Sequence, residues 1–327
     1  MADNRDHWRP TASLDVLKLR ARTLARIRAF FAERGVLEVE TPILSAAGTT
    51  EPNLHSFAAY SLAPGGVTAP RYLHTSPEFA MKRLLAAGSG SIYQIARVFR
   101  GGEVGRLHNP EFTMLEWYRV GFGMHALMDE VAGLVADVLE RPLQAPERSS
   151  FAAAFNRYTG LDPHHATARE FAAAARAHNI DVTGLGPDEL DGWRDLLLTH
   201  LVEPELGRGR LTFLYDYPAS QAALARIRPG DPPVAERFEL YLDGVELANG
   251  FCELTDADEQ RARFERDRRV RAERNLADVP TDESLLAALA QGVPNCSGVA
   301  LGFDRLIMLA AGATSIAEVI AFPADRA

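Results

Sequence analysis

The 327 residues carry 44 acidic against 35 basic side chains, a formal net charge of −9, which argues against a protein built to hold a long nucleic acid through its phosphates. A composition 47% hydrophobic and 24% charged is that of a soluble globular chain, with no apolar run near the roughly 20 residues a membrane span needs. The two cysteines, Cys252 and Cys296, are too few for a disulfide framework or a zinc site of thiolates, and they read as small buried hydrophobes.

Met1 to Pro10 is polar and shows no apolar core of a signal peptide, so a cytoplasmic location is expected. The apolar positions Leu14, Leu17, Leu24, Ile27 and Phe31 then fall at helical spacing between a capping Ser13 and Gly35. A short strand, Val36 to Thr41, is expected to end at Pro42. Ser91 to Arg100 alternates as a strand, Gly101, Gly102 and Gly105 mark a loop, and Glu111 to Arg119 resumes strand character. Pro142 and Pro146 bracket a polar linker, and Phe151 to about Arg210 reads as an Ala-rich helical insertion with no legible chemistry. Leu211 to Tyr217 is a buried strand, and Arg237 to Leu242 with Val245 to Leu254 form a hairpin about Asp243-Gly244. Asp256 and Glu259 open a charged helix to about Asn275 as a capping box. Gly298, Gly302 and Asp304 to Leu309 suggest a last strand turning into a helix. Hairpins flanked by helices imply a mixed α/β domain of α+β type, with an antiparallel rather than a doubly wound sheet.

All but two of the cations are arginine, the exceptions being Lys18 and Lys82, which reads as codon bias. Four observations bear on chemistry. Period-two alternation places Phe112, Met114, Glu116 and Tyr118 on one strand face. A buried Glu116 there calls for a cation, from the protein or from a ligand. The loop donors Arg100, Glu103, Arg106, His108 and Asn109 suit a polyphosphate. Finally, Glu246 and Glu253 would point to opposite faces of a regular strand, so a bulge at Asn249-Gly250 is predicted to bring both to one face, where they could hold Mg²⁺.

Three ordered segments then resemble motifs 1, 2 and 3 of class II aminoacyl-tRNA synthetases. These are Pro42 after its helix and strand; Phe99-Arg100 to Tyr118 with the run His108-Asn109-Pro110-Glu111-Phe112-Thr113-Met114-Leu115-Glu116, in its lysine-type version; and Gly302-Phe303-Asp304-Arg305. The likeness extends from about Ser13 to Pro323. It implies one catalytic domain, residues 1–327 with the insertion at about 150–210, in a class II antiparallel sheet flanked by helices and dimerising through motif 1. It also implies the site. Arg100 would grip the α-phosphate of ATP and Arg305 the γ-phosphate, as the two catalytic arginines. Phe112 would stack on adenine; Gly101, Gly102, Glu103, His108, Asn109, Leu247 and Gly302 would complete the nucleotide site; and Glu246 with Glu253 would hold Mg²⁺. Ser76, Pro77, Glu78, Tyr118, Asn249, Glu253 and Ala300 would line the amino-acid site, where Glu116 receives a side-chain ammonium. The family pattern has a glutamate two residues after the motif 2 arginine; here that position is Gly102, and Glu103 follows.

Lysyl-tRNA synthetases of this type carry an anticodon-binding barrel before the catalytic domain, which needs on the order of 100 residues, whereas about a dozen precede the first helix here. The resemblance is therefore to the short lysyl-tRNA synthetase paralogues that modify elongation factor P. It implies ATP and Mg²⁺ as cofactors, (R)-β-lysine as substrate, a lysine ε-amine of elongation factor P as acceptor, a homodimer, and neither stable tRNA binding nor membrane association. Ala300 stands where the tRNA-charging relatives usually have glycine, which is consistent with a displaced amino group. Two alternatives remain open at this point: a truncated enzyme charging tRNA, and a non-catalytic paralogue that kept the fold.

Overall fold

The computed structural model describes residues 8–63, 66–67, 69–140 and 142–327; Met1 to His7, within the N-terminal stretch read above, lie outside them. Ser13 caps helix α1 (Leu14–Glu33) by accepting from the Val16 N–H at 3.2 Å, and Gly35 at φ +63° lets the chain leave it, as its position predicts. Next comes β1 (Leu37–Glu38), shorter than expected, which pairs in parallel with the later strand through Leu37 and Glu38. Pro42 cannot donate to a ladder, so little beyond Val39 pairs.

Five short strands follow: β2 (Leu44–Ser45), β3 (Ala58–Ala59), β4 (Leu62–Ala63), β5 (Gly66–Val67) and β6 (Arg71–Leu73). After α2 (Glu78–Ala86) come β7 (Ile92–Phe99) and β8 (Glu111–Val120), the two strands flanking the glycine-marked loop. They pair in register from Ile92↔Tyr118 to Phe99↔Glu111. Helix α3 (Met124–Leu139) leads to β9 (Gln144–Ser150). This corrects the reading of Pro142 to Pro146 as a linker: β9 is an edge strand parallel to β10 (Arg210–Pro218), and its register slips where Pro146 sits. A bulge on an edge is where a strand tolerates a residue with no N–H.

The insertion is helical as expected, with α4 (Phe151–Thr159), α5 (Ala168–Ala177) and α6 (Leu190–Leu197). β11 (Ile227–Arg228) and the hairpin β12 (Val234–Leu242)–β13 (Val245–Cys252) follow, turned by Asp243 at φ 52° and Gly244 at φ 73°, the two positive φ values of a tight primed turn. Helix α7 (Ala257–Glu273) is capped by Asp256, which accepts from the Glu259 N–H at 2.9 Å. Glu259 itself turns to Arg263 rather than back to the cap, so the predicted box is only half made. Last come α8 (Glu283–Gln291), β14 (Cys296–Gly302) and α9 (Phe303–Ala311).

The main sheet runs β1-β7-β8-β14-β13-β12-β10-β9, with β11 on β12, and is antiparallel except at its two ends. One face is covered by α1, α3 and α9, whose Ile27, Phe31, Leu127, Val131, Leu306 and Ile307 pack on Leu115, Trp117, Phe213, Leu240 and Val299. On the other face the insertion has a core of its own, in which Phe151, Phe155, Phe171 and Trp193 meet Leu214, Tyr217 and Tyr241. α2, α7 and α8 cover a third region around Met81, Tyr118, Phe264 and Leu289. Between these two packed regions the sheet face is left open, and there the site lies. Cys252 and Cys296 are buried and unbridged, as their reading as small hydrophobes requires. Among the described residues, no helix is long and apolar enough to cross a membrane.

Candidate active site

A cleft of ≈ 1290 Å³ runs along the open sheet face. It is lined by Arg100, Glu103, His108, Asn109, Phe112, Glu246, Leu247, Gly302 and Arg305 toward one end and by Ser76, Pro77, Glu78, Glu116, Tyr118, Asn249, Glu253 and Ala300 toward the other. Of the site residues singled out in the sequence, Arg106, Gly101 and Gly102 are absent from its walls; Arg106, read as a polyphosphate donor, turns instead to the Thr314 carbonyl at 3.2 Å. Gly101 donates to the His55 carbonyl at 2.7 Å, and a Cβ there would lie 3.3 Å from that oxygen; Gly102 turns the chain at φ +82°. Both shape the loop that carries Glu103 and His108.

At the first end the Arg100 guanidinium lies 5.2 Å from the Phe112 ring centroid and 3.9 Å from Glu103. Arg305 donates to Glu246 Oε2 at 3.2 Å, to the Glu246 carbonyl at 2.9 Å and to His108 Nε2 at 2.8 Å. Burial and the neighbouring Arg305 hold His108 below the usual imidazole range, so it is neutral and free to accept that bond. Asn109 is committed within the chain: its Nδ2 donates to the Glu111 carbonyl at 2.6 Å and its Oδ1 accepts from the Ala324 N–H at 3.0 Å. Below this end Asp304, 1% exposed, accepts from the Thr113 N–H at 2.7 Å and is paired with Arg20 of α1. The motif 3 aspartate thus locks β8 and α9 to α1, a role the sequence did not suggest.

The predicted bulge in β13 exists, but not at Asn249-Gly250. Leu240 pairs with Ala248 and Tyr241 with Glu246, leaving Leu247 as the extra residue, and pairing through Asn249 and Gly250 is regular. Gly250 has another reason to be glycine: a Cβ would lie 2.4 Å from the Phe238 ring. The bulge still turns Glu246 and Glu253 to one face. Their separation is another matter, because six register steps at about 3.3 Å each put the two roughly 20 Å apart along the strand, too far for one ion. Glu253 is held instead by Lys82 at 2.6 Å, and the acidic neighbour of Glu246 is Glu239, across the hairpin. Burial, and next the charge of Glu239, raise the Glu246 carboxyl above the usual range. Glu239 accepts from the Tyr217 hydroxyl at 2.6 Å and from Tyr241. Sequence reasoning missed Glu239, although its spacing of seven residues from Glu246 across a two-residue turn could have marked it.

At the second end three carboxylates face one pocket. Glu116, 2% exposed, accepts from Ser76 Oγ and from the Tyr118 hydroxyl, each at 2.7 Å. The Ser76 hydroxyl also accepts from the Glu78 N–H at 2.9 Å, where α2 begins, so one side chain ties the helix start to the sheet. Burial and the nearby Glu78 push the Glu116 carboxyl up to about 8. No side chain of the described residues offers it a cation. Glu78 and Glu253 share Lys82, at 2.6 Å each. Ala300 lies in the floor, paired with Asn249 on one side and Glu116 on the other. Gly298 opens the space beside it, since a Cβ there would lie 2.4 Å from Tyr118 and 2.5 Å from Glu253 Oε1.

Arrayed along one cleft are therefore two arginines, the Glu246 carboxylate and, farther on, a buried anionic pocket. Asp191 and Asp195 of the insertion also reach the wall, where the sequence showed nothing.

The family of tRNA synthetases class II (D, K and N) matches residues 5–326. A protein of Salmonella dublin named elongation factor P–(R)-beta-lysine ligase is 51% identical over 323 residues, 98% of each chain. A protein of the same name from Klebsiella pneumoniae subsp. pneumoniae is 52% identical over 324 residues with the same coverage.

Proposed function

The chain belongs to the class II tRNA synthetase family of the D, K and N type, and on that premise we propose that it activates (R)-β-lysine with ATP and transfers it to a lysine ε-amine of elongation factor P. The observation that carries the substrate is Glu116, a buried carboxylate with two neutral donors and no cation among the described residues. An ammonium brought by the ligand supplies the missing charge. The names of relatives matched over 98% of both chains support the acceptor, and they favour it over charging of tRNA or a non-catalytic role.

The substrate lies with its ammonium groups among Glu116, Glu78 and Glu253 and its carboxylate toward Arg100. That carboxylate attacks the α-phosphorus of ATP in line. Pyrophosphate leaves, and the ε-amine of the acceptor then attacks the acyl carbonyl, releasing AMP. No protein nucleophile is needed, since positioning and electrostatics carry phosphoryl chemistry of this kind. Arg100 stabilises charge at the α-phosphate. Arg305, paired with Glu246 and His108, turns to the terminal phosphate, and Phe112 offers its ring to the base. With Gly102 at the family's glutamate position, Glu103, which faces the cleft, is the carboxylate placed to meet the adenine amine. Asn109 acts by fixing the loop to the tail rather than by touching the nucleotide.

Mg²⁺ would be held by Glu246, the carboxylate at this end of the cleft, with Glu239 behind it on the adjacent strand adding negative charge although Arg237 already pairs with it; bound there, the ion would offset the charge of the phosphates. Glu253 belongs to the amino-acid pocket. The exposed Leu37, Ile43 and Leu44 around motif 1 support a homodimer through that segment. The chain is read as one catalytic domain with a helical insertion, acting in the cytoplasm without stable tRNA binding. Amino-acid-dependent exchange of pyrophosphate into ATP tests the activation step: exchange with (R)-β-lysine is expected, and its absence sinks the reading.

A further inference from the structure

Of 35 basic side chains two are lysines, and one of them, Lys82, is 1% exposed. In a chain that otherwise uses arginine, this position keeps the compact cation. Lys82 stands one helical turn after Glu78 on α2, and its Nζ lies 2.6 Å from Glu78 Oε1 and 2.6 Å from Glu253 Oε2, at the end of β13. Both carboxylates line the cleft and Lys82 does not: it stands behind them. The groups that face this assembly are Glu78 and Lys82 from α2, Glu116 and Tyr118 from β8, Glu253 after β13, and Cys296 from β14. Once a ligand ammonium draws Glu116 into its ionised form, three carboxylates and one ammonium leave the pocket with two negative charges for the ligand to meet, the complement of two ammonium groups.

We propose that Lys82 is a positioning and specificity-determining residue that sets the charge of the amino-acid pocket to match a diamino acid, by pairing with Glu78 and Glu253 from behind and offsetting one of the pocket's negative charges. The inference rests on the reading of the cleft as a diamino-acid site. Without Lys82, three like charges crowd one buried space, and the cheapest relief is to protonate one of them. The pocket then offers one negative pole where the substrate needs two. A guanidinium is no substitute: its planar fork is larger than the space between two carboxylates that each approach to 2.6 Å.

The test compares wild type with Lys82→Met, near in shape and uncharged, by amino-acid-dependent pyrophosphate exchange across pH and by equilibrium binding of ATP alone. Expected for Lys82→Met are a KM for (R)-β-lysine raised at least about tenfold, ATP binding within about twofold of wild type, and an acid limb of the 1/KM profile moved to higher pH. An unchanged KM and profile would overturn the proposal. So would a loss of ATP binding in both Lys82→Met and Lys82→Gln, which makes Lys82 a support of the fold and nothing more. No exchange in wild type would overturn the diamino-acid reading itself, whereas exchange in wild type with an unaltered variant overturns only the role of Lys82.

Discussion

Tyr118 and Glu116 stand two residues apart on one face of β8, and the Tyr118 hydroxyl donates to Glu116 Oε1 at 2.7 Å, inside a pocket where no described residue gives the carboxylate a cation. With both its oxygens met by neutral hydroxyls and its charge desolvated, this glutamate is predominantly protonated at neutral pH until a ligand arrives.

The pH dependence follows. Binding an ammonium requires the ionised form, and burial and Glu78 hold the carboxyl at about 8; substrate binding therefore releases a proton and tightens as pH rises toward about 8. The fold responds in the opposite sense. A carboxyl raised from 4.5 to about 8 stabilises the ligand-free protein below about 4.5, and that contribution is lost as pH rises through about 8. Thermal melts from pH 5 to 8 are expected to show a falling Tm, offset by (R)-β-lysine. A ligand-free Tm that climbs over this window contradicts the account.

Glu116→Gln removes the charge and keeps the shape. Breaking a buried ion pair costs about 3–5 kcal/mol, so KM for the amino acid should rise by two orders of magnitude or more, with ATP affinity unchanged. A parallel loss of ATP affinity would place Glu116 elsewhere in the mechanism.

Gly298→Ala puts a methyl group into Tyr118 and Glu253 at 2.4 and 2.5 Å. Overpacking of this kind costs about 1–3 kcal/mol, and because both neighbours line the pocket, kcat/KM for the amino acid should fall together with Tm. Full activity in this variant would show that the wall yields freely.

The carboxylates separate by ligand. Glu239→Gln and Glu246→Gln should each raise the Mg²⁺ concentration for half-maximal exchange, while Glu253→Gln should raise KM for the amino acid and leave the Mg²⁺ requirement alone. A shifted Mg²⁺ requirement in Glu253→Gln would restore the pairing first read from the sequence.

Arg20→Met strands Asp304, which is 1% exposed. Leaving that charge unpaired should cost about 3–5 kcal/mol of stability, seen as a lower urea midpoint, with KM for both substrates near wild type in the fraction that remains folded.

Much of this site is legible in the sequence because it is local. Alternation alone placed Phe112, Met114, Glu116 and Tyr118 on one face, and Asp243-Gly244 announced the hairpin through residues that accept positive φ. What escaped depends on partners far along the chain. The Glu239–Glu246 pair is made by strand register, and Leu247 was not recognisable as the bulged residue because Asn249-Gly250 carries the louder signal. Gly250 is glycine to admit the Phe238 ring, a packing reason that no local pattern reveals. Lys82 looked like a product of codon bias until its two carboxylates, one from 171 residues later, were brought to it. Pro142 and Pro146 were read as bracketing a linker, whereas an edge strand with a bulge accommodates Pro146.

The most direct test of the central claim is the intact mass of elongation factor P after incubation with this protein, ATP, Mg²⁺ and either (R)-β-lysine or α-lysine. The account predicts the addition of one lysyl-sized mass to a lysine ε-amine, faster with the β isomer and absent without ATP. An unmodified factor, in a preparation where tRNA-lysine accepts the label instead, would contradict it.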